Sequence, residues 1–132
     1  MLSARGALAA GATLLAAATI GGAFGAHALQ ARWPAERLDI YETAVRYQFY
    51  HGLGLLAVGL AGRAIEAALL RWAGALILSG IVCFSGSLYA LCFGAPRALG
   101  VVTPLGGLAL IAGWCLFAAA MLGARAGPQR GP

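Results

Sequence analysis

Four stretches of this chain run for nineteen residues or more with almost no charge, and that pattern limits the fold before anything else does. Residues 6–29 hold no acid and no arginine, 44–62 carry Arg46 alone, and 72–93 and 99–123 are uncharged throughout. A helix needs about 20 apolar residues to cross a hydrocarbon core of roughly 30 Å. In lipid only helices and closed barrels satisfy their own backbone groups. Nothing here alternates with the period of two that a membrane barrel requires. The pattern predicts an all-α integral membrane four-helix bundle, one domain over residues 1–123, with a polar, flexible tail at 124–132.

Composition agrees. The chain is 61% hydrophobic and 10% charged, with a mean hydropathy of +0.84. A soluble domain carries roughly 25% charged residues, and disorder needs low hydrophobicity. Both classes are excluded. The net charge of +5 comes from nine scattered arginines and no lysine, so no basic cluster exists for a nucleic acid to bind. The arginines instead punctuate the apolar stretches. With four spans both termini share a side, which would hold Arg5, Arg63, Arg71, Arg125 and Arg130 against Arg32, Arg37 and Arg97 opposite. The positive-inside rule then predicts cytoplasmic termini. The bias toward Ala, Gly and Arg suggests a GC-rich bacterial genome, and with it the bacterial inner membrane.

Arg5, an apolar run and Ala26-His27-Ala28 imitate a signal peptide, but the run exceeds the 7–15 residues of such a segment and reads as a retained helix. Cys83, Cys92 and Cys115 are odd in number and lack metal-ligand spacing, so they read as buried thiols. Pro34 can open a helix with Glu36 in its first turn, and Leu38, Tyr41, Val45 and Phe49 follow at helical spacing. That predicts a short interfacial helix between the first and second spans. Pro96 marks a tight turn before the fourth.

Small residues recur one turn apart: Gly21 with Gly25, then Gly86, Ala90 and Gly94, then Ala109 with Gly113. Such stripes let helix backbones approach closely in lipid, either within one protomer or along an oligomer seam.

Ionisable and polar groups inside a membrane are functional candidates by default. His27 ends the first stretch, and Glu42, Arg46, Tyr47, Tyr50 and His51 begin the second, so both groups belong to one membrane face. Glu42 and Arg46 stand at i, i+4 with the acid first, the favourable order for an ion pair. One reading is a structural polar knot. Another is a haem, metal or quinone site at His27 and His51, or a proton relay through them. Ser85, Ser87 and Tyr89 form a second polar patch, with Thr103-Pro104 opposite it in sequence; backbone and interhelical hydrogen bonds account for both. The only aspartate, Asp39, lies outside any triad pattern, and no phosphate-binding loop occurs, so no enzyme is expected.

Residues 22–29 (Gly-Ala-Phe-Gly-Ala-His-Ala-Leu) and 41–48 (Tyr-Glu-Thr-Ala-Val-Arg-Tyr-Gln) leading to His51, together with Phe84-Ser85-Gly86-Ser87-Leu88-Tyr89, Thr103-Pro104-Leu105-Gly106-Gly107 and Gly113-Trp114, resemble the domain-of-unknown-function 423 family. That family includes the animal transmembrane protein 256 group. The resemblance spans nearly the whole chain and implies a four-helix membrane protein without an assigned activity. His27, Glu42, Arg46 and His51 fall within its motifs. The expected role is a non-enzymatic membrane protein, either an accessory or assembly subunit of a larger complex or a homo-oligomer. Its partners would then be the lipid bilayer and another membrane protein or its own copy. A redox module and, last, a small transporter are the alternatives.

Overall fold

The computed structural model describes residues 1–65 and 68–123, and these are all-helical. Helix α1 covers Ala4–Phe24 and opens on Ser3, whose hydroxyl accepts a hydrogen bond from the Gly6 amide at 3.1 Å. It runs without a break into a π-helical turn, Gly25–Leu29. Helix α2 covers Ala35–Ala64, α3 covers Ala68–Cys92, and a 3₁₀ turn at Arg97–Val101 leads into α4, Val102–Gly123. Pro104 falls in the first turn of α4, where its missing amide hydrogen has no partner to lose. Gly94 turns the chain between α3 and α4 with φ at 95°, a left-handed conformation suited to glycine.

The short interfacial helix expected after Pro34 is not a separate element. From Ala35 to His51 there is no glycine or proline to interrupt the hydrogen-bond ladder, so the segment continues into one helix of 30 residues. Three helical stretches, Ala4–Leu29, Ala68–Cys92 and Arg97–Gly123, are long and apolar enough to cross a membrane. Helix α2 is not among them. Its first half carries Glu36, Arg37, Asp39, Glu42 and Arg46, and the remainder includes Gln48, His51 and several glycines. The expected tail at 124–132 lies outside the described residues.

Each helix packs chiefly on its neighbour in sequence: α1 on α2, α2 on α3, α3 on α4. The pairs are antiparallel. Gly11 abuts Gly52 and Gly59 abuts Leu8; Gly74 meets Val58; Gly80 meets Leu110. Helices α1 and α3 touch little; just before α1, the Leu2 amide bonds the Arg71 carbonyl at 3.2 Å. The layer is filled by Ala7, Leu55, Val58, Ile77, Ile81 and Leu110, drawn from all four helices.

The glycine stripes have different fates. Gly25 is covered by the Tyr41 ring, which a β-carbon there would meet at 2.8 Å, and Gly21 faces the Tyr41 hydroxyl. Gly113 is pressed on Ile77 of α3. Gly106 allows α4 to lie directly on the Phe84 backbone. Gly86 faces open space, Ala90 is half-buried, and Gly94 belongs to the turn. That stripe is therefore left free by the protomer's own packing at Gly86.

Candidate functional site

The buried face of α2 presents Tyr41, Ala44, Gln48, His51, Gly52 and Leu55 to its neighbours. Gln48 is the polar centre of that face. Its Nε2 donates to the Leu14 carbonyl of α1 at 2.9 Å, and its Oε1 accepts from the Tyr89 hydroxyl of α3 at 2.9 Å. One side chain thus ties three helices. Tyr41 adds a second link, donating to the Gly21 carbonyl at 2.8 Å with its ring edge-on to Tyr89 at 5.4 Å. Between α3 and α4, Ser87 donates to the Phe84 carbonyl at 2.9 Å, so the 2.7 Å contact with Thr103 has the threonine hydroxyl as donor. Ser85 is fully buried, and its hydroxyl has no hydrogen-bond partner.

Arg37 closes the end of this layer. Its Nε donates to the carbonyl of Cys92 at 2.7 Å, where the last carbonyls of α3 lack helical partners. The cationic group also suits the negative end of the α3 dipole. Its guanidinium stands 4.4 Å above the Trp33 ring, and Trp33 packs edge-on to Tyr41 at 5.8 Å and Phe93 at 5.2 Å.

The six residues expected to gather at one face are not gathered. His51 turns inward, beside Tyr47 at 5.7 Å between ring centroids and near Trp114 of α4 at 6.2 Å. Its Nδ1 lies 2.7 Å from the Tyr47 carbonyl, which can only accept, so the proton sits on Nδ1. His27 is exposed on the π-helical turn. Gly25 packs on Tyr41 and Gly11 on Gly52, and His27 lies beyond Gly25, so the two histidines lie at levels about 17 Å apart along α2. A haem, metal or quinone site shared by His27 and His51 is therefore not formed. Sequence proximity to one face misled because α2 starts near Pro34, and His51 is already midway along it.

Glu42, Arg46 and Tyr50 do share a place. All three line an open groove of about 330 Å³ between α1 and α2, together with Gly22, Val45 and Phe49. The expected Glu42–Arg46 ion pair does not form; no acidic and basic side chains come within 4.0 Å among the described residues. Gln48, Tyr41 and Arg37 were not singled out from sequence as site residues. A signal existed for two of them. Tyr41 and Gln48 stand at i, i+7 on the face that later carries Gly52, Leu55 and Gly59, where a buried amide must find partners.

A family model described as a protein of unknown function (DUF423) matches residues 21–107. That span includes the groove, the Tyr41–Tyr89 pair and Gly106. A UPF0382 membrane protein of Staphylococcus haemolyticus is 46% identical over 96 residues, covering 73% of this chain and 78% of the relative. The UPF0382 membrane protein YwdK of Bacillus subtilis is 44% identical over 100 residues, covering 75% and 81%. No solved structure matches the chain.

Proposed function

The chain belongs to the DUF423 family of membrane proteins, and from that premise we propose that it is a non-enzymatic packing unit of the bacterial inner membrane. It acts by lateral helix contact, as an accessory or assembly subunit or as a homo-oligomer. The observation that carries this reading is the open, layered packing. Each helix is covered mainly by its sequence neighbour, and Gly86 on α3 faces no atom within 4 Å. Its neighbour Val82, one turn earlier on α3, is 63% exposed. A small residue among apolar ones is the surface another membrane helix fits. The buried polar side chains support the same reading, because Gln48, Tyr89 and Ser87 direct their hydrogen bonds to helices of this protomer.

In this reading α2 crosses the bilayer with the other three helices. It is about 45 Å long and lies antiparallel between α1 and α3, with Gln48 and His51 turned toward protein. Four crossings keep both termini on one side, and the arginine balance favours the cytoplasm.

Native mass spectrometry of the protein, mildly extracted from its own membranes, tests the reading. A multiple of 13.4 kDa, or an added mass of tens of kilodaltons, supports it; a lone 13.4 kDa species overturns it.

A further inference from the structure

The groove between α1 and α2 combines features that no other surface of the described residues brings together. Two opposite charges stand one helical turn apart on α2, Glu42 and Arg46, both exposed and neither in an ion pair among the described residues. Val45, Gly22 and Phe49 form an apolar wall beside them, and Tyr50 borders it with 57% of its surface exposed. The floor is open at Gly22 and Ala26, which offer almost no side chain, while Gly25 lies under the Tyr41 ring. In sequence, the apolar stretch 44–62 begins between the two charges.

We propose that this groove binds the head group of a zwitterionic phospholipid of the phosphatidylethanolamine class, with Arg46 on the phosphate and Glu42 on the ammonium. The guanidinium fork matches phosphate oxygens in a bidentate way. A primary ammonium, two carbons from that phosphate, has three hydrogens to donate to a carboxylate one turn away. A trimethylated choline has none, and an uncharged glycerol head group leaves Glu42 facing an anion without a counter-charge. The acyl chain then follows Val45 and Phe49 into the bilayer. A mixed surface of charge and hydrocarbon suits an amphiphile better than a soluble anion. The site rests on the reading that α2 crosses the bilayer, but not on the assembly proposed with it. A lone protomer that retains this lipid would overturn that role and leave this site standing.

The test uses the full chain in detergent micelles, titrated with phosphatidylethanolamine, phosphatidylcholine and phosphatidylglycerol of identical acyl chains. Retained lipid is counted by native mass spectrometry. The expected result is about tenfold tighter retention of phosphatidylethanolamine, the effect of one charge-assisted hydrogen bond. R46Q should lower it about tenfold, and E42Q should erase the preference over phosphatidylcholine. Arg46→Lys, which keeps the charge and loses the fork, should fall between. Because both side chains are exposed, each variant should unfold at the same detergent midpoint as the parent. Equal retention of all three lipids, a preference for phosphatidylglycerol, or retention indifferent to R46Q and E42Q would overturn the proposal.

Discussion

The Tyr89 hydroxyl donates to Gln48 Oε1 across the α2–α3 interface at 2.9 Å, and the same amide donates onward to Leu14 of α1. Gln48→Leu removes both bonds and leaves the part-buried Tyr89 hydroxyl without its partner. It should lower stability by about 1–2 kcal/mol, against about 0.6 kcal/mol for Tyr89→Phe. The double variant should lose less than the sum, because the pair shares one bond. Unfolding in mixed detergent micelles reads all three.

Glycines 106 and 86 should behave in opposite ways. A methyl group at Gly106 runs into the Phe84 backbone, so Gly106→Ala must force α4 away from α3 at about 1–3 kcal/mol. Gly86→Ala meets nothing and should stay within about 0.5 kcal/mol. Gly86→Leu should also fold, yet reduce the mass of the assembly in native mass spectrometry if its face receives another helix.

Arg37→Gln should loosen the end of α3. It removes the donor to the Cys92 carbonyl and the cation above Trp33. Since Arg37 is half-buried, the cost should be about 1 kcal/mol. Amide hydrogen exchange at the last turn of α3 should rise. Arg37→Lys restores the charge without the planar Nε donor and should recover only part of the protection.

The two histidines should separate cleanly. His27→Ala alters an exposed side chain and should leave the yield of folded protein unchanged. His51→Ala opens space beside Tyr47 and Trp114 and should destabilise by about 1–3 kcal/mol. Equal tolerance of both would contradict the inward placement of His51.

The helical class and three of the apolar stretches were legible because their signal is local: a run of uncharged residues reads the same in any context. The bounds of α2 were not. Its charged first half resembles a surface helix and its second half a span, and only the absence of a breaker between Ala35 and His51 makes them one rod. The polar cluster was misjudged for a related reason. Spacing along α2 says which residues share a face, but which face meets α1 and α3 depends on where Gly11, Gly25 and Gly74 permit close approach. That choice turned Gln48 and His51 inward and left Glu42, Arg46 and Tyr50 on the groove.

The neighbour-to-neighbour packing has a bearing on biogenesis. A chain whose contacts are mostly between consecutive elements closes short loops, and such topologies form fast. Synthesis proceeds from the N-terminus, so α2 meets α1 before α3 exists, and α4 arrives last on a finished α3 surface. Apart from the Ser85 hydroxyl, which stays unpaired, the side-chain hydrogen bonds between helices form between consecutive ones. Gln48 comes closest to an exception: its Leu14 bond can form in the first hairpin, while its second bond awaits Tyr89.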